Sequence, residues 1–445
     1  MFVIKNNGFI SVYIVLCQRR ALRGFFALIH RSIVPYFIES ESVIEMILTD
    51  HSTYFMNKIT GKILVLSFFL LCFVLSILSY GFIDLNLTLT TESVLSGWFK
   101  LLSHLICQNR LITAGIYTGV LFLLFILFGL IWKHSRDIFP SAQSIVLWCI
   151  PLVLTLVISY PMVSYDLFNY MATAKVAYTY RENPYVVMPI EIPNDSNLSF
   201  TRAANKFALY GPPWILLTWI PHTLGMGNVW LTIVAFKLMN AIWYVGFCYL
   251  IWRVTKNMKN VIFFALNPLV LIEILVSGHN DIAMMGLSCA GLLLWQKKEW
   301  ISRFFGLFIF ILSVFIKGAT IVLVPLLFFR KMTQSRLMLV ASCLLFFVFL
   351  IIAPLREELY PWYAVWFLST AAFLPYSKYA WFWQFCIALS FGLELRYIPY
   401  MAMGYYEGPG PILRTVLTFI PPFIWFVWIS WKEKLVHKVI KFIKL

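Results

Sequence analysis

The sequence predicts an all-α integral membrane protein, a polytopic bundle of about twelve transmembrane helices. Three observations carry that reading. Hydrophobic residues make up 61% and charged residues 12% of 445 positions, which excludes an ordinary soluble globule. Apolar runs of about 20 residues, the length a bilayer core demands, recur along the chain. Lys and Arg, the source of a net charge of +16, fall in short clusters between those runs, as cytoplasmic loops require. No basic face or nucleic-acid motif accompanies them, so nucleic acid is not an expected partner. The cysteines are scattered, mostly in apolar runs, and form no CxxC, so neither a zinc site nor a disulfide framework is expected.

Residues 1–55 carry Arg19, Arg20, Arg23 and Arg31 and no run long enough to span. Two expectations stand for them: a working protein that starts at Met56, or a basic extension on the cytoplasmic leaflet. Residues 56–445 form the transmembrane domain. Lys58 and Lys62 place the start of helix one (63–83) inside, and 84–110 is read as an outer connector. Helix two (111–132) returns to Lys133 and Arg136. Helix three (142–160) runs outward and is ended by Pro161. Residues 161–212 form the longest polar loop, with helix-compatible sequence over 168–180 and breakers at Asn183-Pro184, Pro193-Asn194 and Gly211-Pro212. An outer loop of that length is expected to be functional. Trp214–Leu224 is a short apolar piece, and helix four (228–252) returns to Arg253. Helix five (260–277) and helix six (282–296) flank Gly278-His279-Asn280-Asp281. Residues 304–316 and 319–329 read as a short hairpin with Lys317 at its tip. Helix nine (336–353) leads out to Arg356, helix ten returns near Lys378, helix eleven leads out to Glu394, and helix twelve (411–430) ends in a lysine-rich tail. Both termini are expected in the cytoplasm.

This topology places Asp166, Asn169, Tyr210, His279, Asn280, Asp281, Lys317, Arg356 and Arg396 at one outer level. An acid near hydrocarbon is costly unless it serves a site. Lys and Arg there can hold a phosphate, and a carboxylate can take a proton from an acceptor hydroxyl. Each residue also has a plainer reading. His279 and Asn280 can cap helix five, Asp281 can be the N-cap of helix six, and Lys317 can snorkel. Arg356 can pair with Glu357 or Glu358, and Arg396 with Glu394. Tyr360–Tyr363 reads as an interfacial belt. Lys237 and Glu273 lie inside helices and are expected to be paired or to face the interior; Glu273 and Asn280 share a face if their helix continues.

The run Asp166-Leu167-Phe168-Asn169-Tyr170, then Asn183-Pro184-Tyr185, then Tyr210-Gly211-Pro212 resembles the first large outer loop of the polyprenyl-phosphate-sugar-dependent membrane glycosyltransferases of the C-type fold (GT-C). Asn267-Pro268 with Glu273, Gly278-His279-Asn280-Asp281, Lys317 with Pro325, and Tyr360-Pro361-Trp362-Tyr363 resemble the polyprenol-phosphomannose-dependent α-mannosyltransferases of that class. The likeness covers roughly residues 140–370. It implies a catalytic acid, mapping to Asp166, and inverting transfer of a hexose, mannose first, from a polyprenyl-phosphate donor to an extracytoplasmic hydroxyl of a glycan, glycolipid or cell-envelope polymer. In that reading Asp166 is the general base, and Lys317, helped by Arg356 or His279, binds the lipid phosphate. Asn169, Tyr210, Asn280 and Asp281 shape the sugar pocket. No cofactor is called for, and a divalent metal at the phosphate stays open. The alternative is a secondary transporter or lipid-linked-sugar flippase using Lys237, Glu273 and Lys317 as its path.

Overall fold

The computed structural model describes residues 61–82, 94–107, 109–139, 141–356, 358–405 and 407–443. Contacts divide the chain at Thr60, and the unit Gly61–Leu445 is the one described here. The expectations for residues 1–55 and for a start at Met56 lie outside the described residues.

Helices account for all the regular structure among the described residues. Helix α1 spans Gly61–Phe82, α2 Val94–Cys107, α3 Arg110–Lys133 and α4 Ala142–Val157. Then come α5 (Asp166–Tyr178), α6 (Pro212–Leu224) and α7 (Val229–Thr255). A bent pair follows: α8 (Met258–Ala265) and α9 (Pro268–Val276) meet at 48°. Proline at 268 has no N–H to continue the ladder, and the Asn267 side chain instead accepts from the Leu269 N–H at 3.1 Å. Helix α10 is Asp281–Trp295 and α11 Trp300–Lys317, followed by a 3-10 helix at Ala319–Phe328. Helix α12 (Gln334–Leu355) is succeeded by α13 (Ala364–Ala371), α14 (Tyr376–Leu395), α15 (Ile398–Met403) and α16 (Gly410–Ile443).

Six of these helices are long and apolar enough to cross a membrane, seven when the bent pair counts as one span, among the described residues. The remaining crossings expected from sequence would rest on shorter apolar helices such as Ser144–Val157 and Asp281–Trp295. The structure corrects several local expectations. Helix α2 falls within the stretch read as a connector. Helix α11 begins at Trp300 and has 18 residues, so it is long enough to span. The partner strand of that hairpin is a 3-10 helix of 10 residues, which at ~2.0 Å per residue reaches about 20 Å. Asp281 lies in the first turn of α10 rather than at its N-cap, which is Asn280 without a side-chain cap bond.

Helix α10 packs along α11, α14 along α16, α4 along α7, and α5 against α6. One buried cation fixes where α4 ends. Lys237 of α7 has no exposed surface and donates to Leu156 O at 3.0 Å, to Ser159 Oγ at 2.7 Å and to Ser159 O. The last carbonyls of a helix have no intrahelical donor, and their partial negative charge favours a cation. Lys237 therefore caps α4 from a neighbouring helix and pins the chain a few residues before Asp166. Replacing it by Met removes the donor to Ser159 O and Ser159 Oγ and leaves Leu156 O with the Ser159 N–H and hydroxyl alone. Lys237→Met is expected to lower stability by about 1–3 kcal/mol, read as a lower unfolding midpoint of the detergent-purified protein; an unchanged midpoint would contradict the capping role.

Candidate active site

Helix α5 starts where α4, stopped by Pro161, can go no further. Its first residue is Asp166, and Asn169 and Tyr170 follow at the i+3 and i+4 spacing that puts them on the same face. Residues 179–211 are held on α5 by Asp195. That carboxylate accepts from Lys175 Nζ at 2.9 Å, Tyr180 Oη at 2.7 Å and the Asn197 N–H at 2.7 Å. Partial burial pushes Asp195 up, and those donors more than offset it, so it sits below the ordinary carboxylate range. Asn169 Oδ1 accepts from the Ala203 N–H at 3.2 Å.

Tyr210 is placed by the glycine after it. The Gly211 N–H donates to Ile316 O at 3.1 Å, and a Cβ on Gly211 would lie 1.6 Å from Phe315 O. Only glycine permits this approach to the C-terminal turn of α11. It sets the Tyr210 ring 5.9 Å below Lys317 Nζ and lets its hydroxyl donate to Asp166 Oδ2 at 3.2 Å.

The third part of the site comes from the end of α9. Residues Leu271–Val276 wind as a π-helix, and Gly278 takes φ of +82°. Single π turns inside helices recur at functional sites. Here the wide turn lets the His279 ring lie back beside the Glu273 carboxylate, at 3.3 Å from Nε2 to Oε2. On its other side His279 Nδ1 is 3.4 Å from Asp166 Oδ2. Both are ion-pair distances without hydrogen-bond alignment. The ring stacks on Trp362 at 4.1 Å and has no exposed surface. Because of the π turn and Gly278, the helix does not continue to Asn280, so the expected shared face of Glu273 and Asn280 is not formed.

Asp281 is fully buried and neutralised. Both its oxygens accept from Lys317 Nζ, at 3.0 and 2.9 Å, and Oδ1 also accepts from Trp366 Nε1 at 2.5 Å. Asn280 Oδ1 accepts from Tyr170 Oη at 3.2 Å, and Asn240 Nδ2 donates to Gly278 O at 2.6 Å.

Burial pushes the Asp166 carboxyl up, but His279, Lys317 and the Tyr210 hydroxyl together hold it below the usual carboxylate range. For His279, burial pulls down while Asp166 and Glu273 on either side pull up, leaving it raised to about 9. Burial, with the Asp166 charge beside it, raises Tyr210 well above the ordinary phenol, so its hydroxyl stays a donor.

Asp166 and Tyr210 border a cavity of about 980 Å³, at the upper end of the range for ligand sites. Asp166, Asn169, Tyr210 and Lys317 line it. The Asp166 side chain keeps 22% of its surface exposed there. His279, Asn280 and Asp281 do not line it; they lie behind the lining residues with no exposed surface. Arg356 ends a short helical turn, and its side chain lies outside the described residues. Arg396 also lines the cavity but pairs with Glu358, not with Glu394 as expected from sequence, and Arg414 reaches the same carboxylate at 2.8 Å. Glu394 instead accepts from Tyr117 Oη at 2.9 Å. The lining also includes apolar side chains: Ile321, Val322, Phe347, Val348 and Ile352. Among the described residues no three His, Cys, Asp or Glu side chains form a set able to hold a metal ion.

A protein family described as "Alpha-(1->6)-mannopyranosyltransferase, N-terminal domain" matches residues 67–333, well over half of the chain. The chain belongs to that family. A curated relative, "Alpha-(1->6)-mannopyranosyltransferase A" of Mycobacterium tuberculosis (strain ATCC 25618 / H37Rv), is 25% identical over 251 residues. That alignment covers 53% of this chain and 45% of the relative, so the chain spans about half the length of the curated protein it matches. No solved structure matches. The mannopyranosyltransferase match contains Asp166, Asn169, Tyr210, His279, Asn280, Asp281 and Lys317, and stops before Trp362, Arg396 and Arg414.

Sequence reasoning gave no site role of their own to Trp362, Trp366, Tyr170 and Tyr397. Trp362 fell in the Tyr360–Tyr363 stretch read as a belt, and Trp366 lies one helical turn beyond it. The Asp281–Lys317 pair gives a direct test. Asp281→Asn strands Lys317 in a mostly buried position and is expected to cost about 3–5 kcal/mol of stability. Adding Lys317→Met should restore part of that loss, so a double variant less stable than Asp281→Asn alone would disprove mutual neutralisation.

Proposed function

We propose that this chain transfers a mannosyl group, with inversion, from polyprenyl-phosphate mannose to a hydroxyl of a glycan, glycolipid or envelope polymer at the extracytoplasmic face, as a GT-C enzyme. The observation that supports it most is the mixed lining of the cavity. It joins a partly exposed carboxylate, a lysine and tyrosines to apolar side chains, of which Ile321, Phe347 and Ile352 are exposed. A phosphosugar on a prenyl chain has that same polarity.

In this reading the acceptor hydroxyl gives its proton to Asp166 as its oxygen attacks the anomeric carbon from the face opposite the phosphate. The bond from that carbon to the phosphate oxygen breaks, and polyprenyl phosphate leaves with the electron pair. Tyr210 and His279 both bear on Oδ2, so Oδ1 is the oxygen that receives the proton. Lys317 donates two of its three N–H groups to Asp281 and has a third for the leaving phosphate. Since Asp281 cancels its charge, Lys317 acts as a fixed donor rather than a net cation. Arg356 remains a proposed phosphate ligand. Asn169 and Tyr210 border the sugar; Asn280 and Asp281 shape that border from behind through Tyr170 and Lys317. The transporter alternative is disfavoured by the commitment of Lys237 to the end of α4 and of Glu273 and Lys317 to buried ionic partners.

The test uses membranes carrying the wild-type protein or Asp166→Asn, supplied with polyprenyl-phosphate mannose or polyprenyl-phosphate glucose labelled in the sugar. Wild type should release label from the mannose donor, and Asp166→Asn should lose about 100-fold or more. Full activity in the variant would refute the base, and release only from the glucose donor would refute the sugar. Tyr210→Phe, which removes one donor to Oδ2 but leaves His279, should lose about 10-fold or less.

A further inference from the structure

Glu273 and Tyr397 have no role in the reaction as drawn above, yet they stand directly behind its base. The Tyr397 hydroxyl donates to Glu273 Oε1 at 2.7 Å. Glu273 Oε2 faces His279 Nε2 at 3.3 Å, and His279 Nδ1 faces Asp166 Oδ2 at 3.4 Å. Tyr397 lines the cavity, as does Asp166. A row of polar groups thus leaves the cavity at one residue, runs through the packed interior and returns to it at another. The local backbone is built around this row. The π turn at Leu271–Val276 and the left-handed Gly278 aim His279 at both acids, and a Cβ at 278 would meet Leu167 Cδ1 at 2.5 Å. The 18° stack on Trp362 prevents the ring from turning out of the row.

We infer that Glu273 is a positioning residue of the transferase, which acts through His279 to hold Asp166 ionised and oriented with Oδ1 toward the acceptor. This rests on the reading of Asp166 as the base. An imidazolium presents one N–H to each carboxylate; a neutral imidazole has only one N–H and turns a lone pair on the other acid. Each acid accepts from one tyrosine, but Glu273 has no exposed surface whereas Asp166 keeps 22% of its side chain exposed, so the remaining imidazole N–H stays on the Glu273 side. Asp166 then loses the positive charge that holds its Oδ2 side.

Among the described residues, the ionisable groups that bear on the row include Tyr170 of α5 beside Asp166 and Tyr117 of α3 beside Glu394 and Glu273. From α5 comes Asp166, and from the turn before α6 Tyr210. From α9 comes Glu273, with Tyr397 on it and the Glu394 carboxyl of α14 as a neighbouring acid. From α10 and α11 come Asp281 and Lys317, which cancel. Trp362 covers the ring face and does not titrate. The two nearest charges are both negative, so His279 keeps its proton through neutral pH and loses it as pH rises through about 9.

The experiment is the pH dependence of kcat/KM for mannosyl transfer by the detergent-purified full chain, which reports groups of the free enzyme. Wild type should lose activity on the alkaline side near pH 9. Glu273→Gln removes one of the two carboxylates, and its alkaline limb should fall by about 1 to 3 pH units. A merely structural Glu273 would lower the unfolding midpoint without moving that limb. An unmoved limb in a folded Glu273→Gln overturns the inference. So does a wild-type rate that stays flat past pH 10, which needs no variant at all. Inactive Asp166→Asn together with an unmoved limb keeps the base and removes the clamp, whereas fully active Asp166→Asn overturns both.

Discussion

The site depends on one constraint: an ion taken out of water must meet its opposite charge or a set of aligned dipoles. Three cations at and behind the cavity meet it in three ways. Lys317 faces a single carboxylate, His279 lies between two, and Lys237 has none and relies on the oxygens at the end of α4. Each solution joins segments far apart in sequence. Together they lock α4, α5, α9, α10 and α11 around the cavity, so the chemistry and the helix packing share the same contacts.

The backbone departs from regular helix where these ions need it to. The proline break before α9, the π turn after it and the left-handed glycine at 278 fall within about a dozen positions. A regular α-helix would place His279 nearly two turns beyond Glu273, with the two side chains separated by at least one intervening turn. The irregular path folds the pair together and presents it to the start of α5. Gly211 does the same for Tyr210 by closing on the last turn of α11.

Much of this was legible in the sequence, and the reasons for the rest are physical. The membrane class followed from composition, and α3, α4 and α7 from run length and basic flanks. Pro161 marked the end of α4, and the short motifs from Asp166 to Lys317 contain four residues that line the cavity. The partners were not legible. Trp366 meets Asp281 across 85 positions and Tyr397 meets Glu273 across 124, distances over which no local pattern carries information. Arg396 was paired in sequence with its neighbour Glu394, but α14 turns that acid inward to Tyr117 and leaves Glu358 and Arg414 as its company. Helix α11 read as too short because its apolar run was taken from residue 304, whereas the helix begins at Trp300.

Under the proposed reading the apolar lining of the cavity has a kinetic consequence. Ile321, Phe347 and Ile352 line the cavity and are exposed. A prenyl-anchored donor bound against them would not have to leave the bilayer: it would arrive and depart by lateral diffusion. Occupancy is then governed by molecules per area of membrane rather than per volume of water. Dilution with inert lipid would slow such an enzyme at constant bulk concentration, and the spent carrier, sharing the same anchor, would compete with each incoming donor.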